Sequence, residues 1–283
     1  MLLSVLIPAR NEAENLGATT RELIAVLDEA GIPHEILIVN DNSEDATQQV
    51  AEDLGSEFRS VRVIERRTLP GFGRSIRAGL AAFRGDAVVL VMADRSDRPS
   101  DVVHYYRKLE EGYDCVFGSR FRRDSVVSNY PKSKLIANRI VNTGIRLLFW
   151  TRFNDLTNAF KAFRREVILD CGPYSASHFN ITIEMSLSAL IRRYLIAEIP
   201  IGWSGRTWGA SNLRLSEMGR RYLSVLLKIF FERLLLSDDL MEERLLARAA
   251  EQDRLGGLEA RVTTLELDQQ QDAAATKRTE ARD

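Results

Sequence analysis

A buried apolar run that ends in two carboxylates is the feature that most constrains the fold of this chain. Residues Val88–Val91 form an aliphatic run, and Asp94 and Asp97 follow it closely. Such a run is typical of a strand covered on both faces of a parallel sheet, and ligands bind at the carboxyl ends of such strands. The pattern therefore predicts a divalent-cation site at Asp94 and Asp97. The alternative is that Ser96 or Asp97 only caps the next helix.

Apolar segments and amphipathic segments alternate along the first 118 residues. This alternation predicts an α/β fold, with a mostly parallel, Rossmann-like central sheet flanked by helices. The predicted strands are Leu3–Ile7, Glu35–Val39, Val61–Ile64, Ala87–Met92 and Asp114–Gly118, and the predicted helices are Glu12–Ala30, Glu44–Leu54, Phe72–Phe83 and Ser100–Glu110.

The second half of the chain is predicted to be mainly helical. Residues 129–165 have a helical and basic pattern, Ile181–Arg192 predicts a helix and Ile196–Ile201 a short strand. A glycine-hinged loop at 205–211 follows and is expected to be mobile.

An amphipathic helix is predicted at Tyr222–Leu236, with an apolar face interrupted by charged residues. This face either packs on the main domain or lies against a membrane surface or another protomer. Further along, apolar residues step by three and four, as in a short coiled-coil seam that would join protomers into a homo-oligomer. They are Leu255, Leu258, Val262 and Leu265.

These patterns divide the chain into four expected segments. Residues 1–215 form the main domain, 216–237 the amphipathic helix, 238–271 a helical or coiled-coil tail, and 272–283 a polar disordered end.

Composition excludes several classes of function. Only two cysteines and three histidines occur among 283 residues, so neither a disulfide framework nor a cysteine-based zinc site is supported. The tail from residue 238 carries 12 acidic and 7 basic residues, and the body has a small basic excess. This distribution favours an anionic ligand for the body and no nucleic-acid partner. Neither a secretory signal nor a spanning helix is predicted, so we expect a cytoplasmic protein.

Polar residues follow two neighbouring predicted strands. Glu12 comes directly after the first strand and Asp41 after the second. Because the tips of parallel strands form one crevice, Glu12 and Asp41 are expected to bind the base and ribose of a nucleotide. The alternative is helix capping by Asn11 or Ser43.

The glycine-rich segment Gly71–Gly79 has neither the dinucleotide-binding spacing nor the end of a P-loop. It predicts a helix start, with phosphate contact by Arg74 or Arg77 as the alternative.

Taken together, five segments resemble the family 2 glycosyltransferases that use nucleotide sugars, nearest to the dolichol-phosphate mannose synthase-like and polyprenyl-phosphate branch. The likeness runs from about residue 2 to 215 in family order. Pro8–Glu12 is similar to the family's Pro-Ala-Tyr-Asn-Glu, and Val39–Ser43 is similar to its Val-Asp-Asp-Gly-Ser. Gly118–Phe121 matches the Gly-Ser-Arg-aromatic turn, and Asn154–Arg165 matches the Asp-Leu-Thr-x-x-Phe block. Glu198–Ile201 resembles the Glu-Val-Pro-Ile strand, and the 206–211 loop resembles Arg-x-x-Gly-x-Ser-Lys.

The resemblance implies a GT-A fold, a nucleoside diphosphate sugar as donor, and Mg²⁺ or Mn²⁺. Two positions depart from the pattern: Met92 replaces the first carboxylate of Asp-x-Asp, and Asn212 replaces a common lysine. Methionine is a poor ligand for a hard cation, so Asp94 and Asp97 are left as the metal-binding pair. The residues expected at the donor are Pro8, Ala9, Asn11, Glu12, Val39, Asp41, Ala93, Asp94, Arg120 and Arg206.

Transfer requires stabilisation of the leaving diphosphate, for which we expect Asp94 with its ion, Arg120 and Arg206. A polyprenyl phosphate acceptor is already anionic and needs only orientation by cations such as Arg120, Arg122, Arg123 or Lys132. A hydroxyl acceptor needs a base, with Asp155 or Glu184 as the candidates. Asp155 is preferred because it lies in the family motif.

Two other readings remain open from the sequence. One is a non-catalytic scaffold that binds sugar nucleotides, with a degenerate metal motif. The other, a sugar nucleotidyltransferase, lacks the glycine-rich loop that would follow the first strand. If the acceptor is a lipid, the absence of spanning helices implies peripheral attachment to the cytoplasmic face of the membrane.

Overall fold

The computed structural model describes residues 1–205 and 215–236, together with the helical residues Glu243 and Leu246. The chain divides into two compact units, Met1–Arg233 and Leu234–Asp283. The predicted coiled-coil seam and the polar end lie outside the described residues, as does Arg206.

The first unit alternates strands and helices. Its elements are β1 (Leu3–Ala9), α1 (Ala13–Glu29), β2 (His34–Asp41), α2 (Thr47–Glu57), β3 (Val61–Arg66), α3 (Phe72–Ala82), β4 (Ala87–Leu90), α4 (Ser100–Glu110), β5 (Cys115–Ser119), β6 (Val126–Ser128), α5 (Lys132–Phe149), β7 (Lys161–Arg164), α6 (Arg165–Cys171), α7 (Ile181–Ile191), β8 (Ile196–Pro200), β9 (Gly202–Ser204) and α8 (Leu215–Leu235, which reaches into the second unit).

A seven-stranded sheet in the order β3-β2-β1-β4-β7-β5-β8 forms the centre of the first unit. All its strands run in one direction except β7, which is antiparallel to β4 and β5. The inner strands β1, β2 and β4 are buried along almost their whole length, and β2 has an apolar centre between polar ends. Helices cover such strands, so the carboxyl ends of β1, β2, β4 and β5 open at the same edge of the sheet.

The prediction of a helical region over 129–165 is wrong in its last part. Residues Lys161–Arg164 form β7 in the middle of the sheet, and a short strand, Val126–Ser128, precedes α5. Four residues carry too little periodicity to signal a strand. Pairing with β4 on one side and β5 on the other decides the conformation of this segment.

The apolar face predicted for the C-terminal helix packs on the main unit. Val225 and Ile229 of α8 are buried, and Phe230 contacts Phe149 of α5 with ring centroids 6.4 Å apart. Polar contacts hold the same helix, because Lys228 pairs with Glu184 of α7 at 2.6 Å. No helix among the described residues is long and apolar enough to cross a membrane.

Candidate active site

Three strand ends at one edge of the sheet turn through left-handed backbone. Asn11 after β1, Asn42 after β2 and Arg95 beyond β4 have φ angles of 55°, 57° and 59°. Asparagine tolerates this conformation better than most residues. Each turn reverses the chain at once, so the polar residues beside it stay at the sheet edge.

The loops after β1 and β2 are cross-linked by hydrogen bonds. The amide of Asn11 donates to Ser43 Oγ at 3.0 Å, and the amide of Glu44 donates to Asn11 Oδ1 at 2.8 Å. The amide of Glu12 donates to Thr47 Oγ1 at 2.8 Å. The alternative that Asn11 or Ser43 caps the following helix does not hold, because Glu12 and Ala46 occupy the cap positions and these two side chains tie one loop to the other.

The acidic residues of these two loops lie beside buried backbone. Asp41 is buried, forms an ion pair with Arg66 and accepts a hydrogen bond from the amide of Gly71 at 2.7 Å. Glu12 is also buried and accepts from Asn15 Nδ2 at 3.2 Å. Their neighbours expected at the donor, Pro8, Ala9 and Val39, are buried in the strands, which leaves mainly their backbone to face a ligand.

The two carboxylates after β4 lie in different environments. The amide of Met92 donates to Asp97 Oδ2 at 3.0 Å, whereas Asp97 Oδ1 is buried with no hydrogen-bond partner. Burial raises the pKa of Asp97 to about 7, and the negative charge of nearby Asp94 acts in the same direction. The hydrogen bond from the Met92 amide opposes this shift. Asp94 Oδ1 accepts from the amide of Ser96 at 3.1 Å. Asp97 does not cap α4, because Pro99 occupies the cap position.

These carboxylates fit a hard divalent cation. Within the described ranges no group of three or more histidine, cysteine, aspartate or glutamate residues could enclose a metal. Mg²⁺, however, is commonly held by one or two carboxylates plus phosphate oxygens of the substrate. The orphaned oxygen of Asp97, next to Asp94, is suited to such a site.

Arg120 and Asp155 form a buried, bidentate ion pair at the end of β5. Arg120 Nε and Nη2 donate to Asp155 Oδ2 and Oδ1, each at 2.8 Å, and the Arg120 amide donates to Oδ2 at 3.0 Å. The guanidinium also lies over the rings of Phe121, Tyr130 and Trp203, 5.4 to 5.7 Å from their centroids. Burial alone lowers the pKa of Arg120, but the charge and hydrogen bonds of Asp155 outweigh it and raise that pKa.

Two residues that sequence reasoning missed hold the Asp155 loop in place. Lys161 of β7 is fully buried, and its Nζ donates to the carbonyls of Leu156 at 2.8 Å and Asn158 at 2.6 Å. Burial lowers the pKa of Lys161 to about 7. Asn142 of α5 accepts from the amide of Leu156 at 2.7 Å. A lysine inside an otherwise apolar segment was the one available signal.

Several expected residues lie elsewhere. Glu184 accepts hydrogen bonds from Ser175, Ala176 and Lys228, and Arg122 pairs with Glu198 at 3.2 Å. Arg123 and Lys132 have exposed side chains.

The glycine-rich helix start serves packing. A Cβ at Gly73 would lie 2.5 Å from the carbonyl oxygen of Ala176, so α3 approaches that loop through bare backbone. Arg74 and Arg77 donate to the carbonyls of Pro70 and Tyr174.

Acidic residues and a buried arginine at the ends of parallel strands are the arrangement with which α/β proteins bind phosphate-bearing ligands. Residues 4–172 match the model of glycosyl transferase family 2. The chain belongs to this family and is a nucleotide-sugar-dependent glycosyltransferase, as the sequence resemblance implied.

Two sequence relatives agree with this assignment, and solved structures share the fold. The chain is 29% identical over 215 residues to polyprenol monophosphomannose synthase of Mycolicibacterium smegmatis, covering 74% of this chain and 80% of that protein. It is 30% identical over 220 residues to dolichol-phosphate mannosyltransferase of Pyrococcus furiosus, covering 76% of this chain and 60% of that protein. Its fold is similar to that of glucosyl-3-phosphoglycerate synthase from Mycobacterium tuberculosis in complex with Mn²⁺, uridine diphosphate and phosphoglyceric acid, with a TM-score of 0.63, 22% identity and coverage of 81% and 78%.

Proposed function

We propose that the protein transfers mannose from a nucleoside diphosphate mannose to a polyprenyl phosphate at a membrane surface. The names of the two sequence relatives, a polyprenol monophosphomannose synthase and a dolichol-phosphate mannosyltransferase, support this acceptor and this sugar.

The observation that carries the proposal is that the two candidate bases, Asp155 and Glu184, already accept hydrogen bonds on both carboxylate oxygens. Both oxygens of Asp155 accept hydrogen bonds from Arg120, and both oxygens of Glu184 accept from backbone amides. A hydroxyl acceptor would need one of them to take its proton. An acceptor phosphate is already anionic and needs only a cation to orient it, which suits a site built around a buried arginine.

At the donor, the residues act by binding and by charge. Glu12 and Asp41 lie at the two strand ends where the nucleoside is expected, and Arg120 offers a guanidinium held in one orientation by Asp155. A planar guanidinium can grip phosphate through two hydrogen bonds, and a preorganised positive charge stabilises the leaving diphosphate. Bound at Asp94 and Asp97, Mg²⁺ or Mn²⁺ would supply further neutralisation of that leaving group. Arg206 lies outside the described residues and stays a prediction.

Helices α5 and α8 offer a surface for a lipid membrane. Their exposed apolar side chains form what we term the α5/α8 apolar face, and Phe149 and Phe230 join the two helices beneath it. The face comprises Ile136, Ile140, Leu147, Leu148 and Trp150 on α5 and the turn after it, and Leu223, Leu227 and Phe231 on α8.

Charge complements this face. Residues 125–154 contain no acidic residue, while α5 alone carries four cations, Lys132, Lys134, Arg139 and Arg146. Apolar side chains with basic residues around them are typical of helices that lie in the interface of an anionic membrane. This arrangement would bring the enzyme to a lipid-linked acceptor without a spanning helix.

The test supplies radiolabelled nucleoside diphosphate mannose, in turn with each common base, together with Mn²⁺ and vesicles containing polyprenyl phosphate. Label is expected to enter the lipid fraction. Vesicles with the unphosphorylated polyprenol serve as control and should take up none. Transfer to polyprenol, or donor hydrolysis alone, would contradict the proposal.

A further inference from the structure

A second basic site lies along the edge strand of the sheet, and its lining does not include Asp94 or Asp97. We call it the β8 groove. It has a volume of about 650 Å³ and is open to solvent along one side. Its lining contains β8 residues 196–199, Tyr113, Phe121 and Asn154, and four cations: Lys108, Arg122, Arg123 and Arg152.

One of the four cations of the groove, Arg122, is neutralised by a lining acid. Glu198 is its one lining acid, and it pairs with Arg122 while also accepting the amide of Asn154 at 3.0 Å. Lys108 pairs with Glu111 at 2.6 Å. Arg123 and Arg152 have no ion-pair partner in the portion of the chain that the structure describes.

The shape of the groove limits its ligand. A volume of 650 Å³ lies within the range of small-molecule sites. The lining combines the edge strand of the sheet with three arginines, whose planar fork matches phosphate oxygens. Among the residues that the structure describes, Arg123 and Arg152 line one small groove without an acidic partner. Their charges make the groove positive, which favours the binding of an anion.

We propose that the β8 groove binds a phosphate group through Arg123 and Arg152, as a site separate from the donor site. The phosphate belongs to a small molecule or to the headgroup of a phospholipid. The sequence named Arg123 among the cations that could orient an acceptor phosphate, and here it is assigned to the groove instead. The proposed function rests on Arg120 and Asp155, which do not line the groove, so either inference can fail without the other.

Arginine modification tests it on the whole chain. Phenylglyoxal reacts with accessible arginines, and peptide mass spectrometry reports each position. Inorganic pyrophosphate is one probe, and vesicles of phosphatidylcholine with phosphatidylglycerol are the other. At a probe concentration about four times Kd, modification of Arg123 and Arg152 should slow about fivefold. The exposed Arg59 and Arg84, in the loops before β3 and β4 and outside the lining of the groove, should react at an unchanged rate.

Protection by pyrophosphate would assign a soluble ligand, and protection by the anionic vesicles alone would assign a phospholipid headgroup. Binding of the effective probe should fall in R123Q/R152Q and persist in the charge-matched R59Q/R84Q. Equal loss in both double variants would overturn the site. So would equal modification rates with and without both probes, or protection by a glutamate-rich peptide only.

Discussion

Arg120 and Asp155 face each other as a bidentate pair beneath the rings of Tyr130 and Trp203, with every oxygen of the carboxylate engaged. The pair converts a carboxylate that sequence reasoning named as a base into the group that orients a cation. This engagement of Asp155 is the basis on which we propose a phosphate acceptor.

Removing only one charge of the Arg120–Asp155 pair should lower the stability of the protein. D155N leaves a buried guanidinium without its counter-charge, and we expect a loss of about 3–5 kcal/mol in the free energy of unfolding. The double variant D155N/R120M should recover part of that loss, since it removes both charges. Urea denaturation measures both, with the exposed D124N as control. Additive losses in the double variant would contradict the coupling.

Asp94 should be needed for metal binding and for transfer. D94A is expected to abolish transfer and to weaken Mn²⁺ binding at least about tenfold, because it removes one of two protein carboxylates. Electron paramagnetic resonance of free Mn²⁺ reports the binding without reference to activity. D53N, an exposed carboxylate on α2, is the matched control. Full activity of D94A in excess EDTA would refute the metal role.

Substitution of Met92 tests the opposite change, in which a metal ligand is added. M92D supplies the carboxylate that the family pattern places two residues before Asp94, so Mn²⁺ affinity should rise roughly tenfold through the added charged ligand. M92L keeps the apolar character and should leave the affinity as it is. If M92D and M92L bind Mn²⁺ alike, the cation does not lie at this strand end.

Lys161 should give stability a distinctive pH dependence. Its pKa is lowered from 10.5 to about 7 by burial, despite the nearby charge of Asp155, with Arg120 and Glu198 also facing it. Between these two values the unfolded chain binds more protons, so the folded state gains stability as pH rises through this window. Below about pH 7, Lys161 is charged in the folded state, and the free energy of unfolding is lowered by the whole cost of burying its ammonium group. Denaturant titrations on either side of pH 7 should show a wild-type gain that K161M lacks. If the free energy of unfolding changes with pH in the same way in wild type and K161M, Lys161 is not the source of the pH dependence.

The α5/α8 apolar face should control membrane association. L227E/F231E is expected to lower co-sedimentation with anionic vesicles at least about tenfold, because each buried leucine or phenylalanine contributes about 1.5–3 kcal/mol. The control L169E/L195E changes two equally exposed leucines outside the face. A similar loss in both variants would point to general charge repulsion instead.

Local patterns were enough to predict the parallel part of the sheet and the strand-end position of Asp41, Asp94 and Asp97. Buried strands carry uninterrupted apolar runs and their ends carry polar residues, so both signals lie within a few neighbours in the chain. The structure moved most boundaries by only a few residues, and Ser100–Glu110 was predicted without error.

Contacts between distant segments decided the rest. Strand β7 exists because β4 and β5 pair with it, and Asp155 meets Arg120 across 35 residues of chain. Lys161 could not be assigned from its neighbours, since its role depends on two carbonyls that the folded loop turns toward it. Sequence alone determined the parallel strands β1 to β5 and where their polar ends lie. Only tertiary structure decided which charges are paired, because pairing depends on burial and on partners far away in the chain.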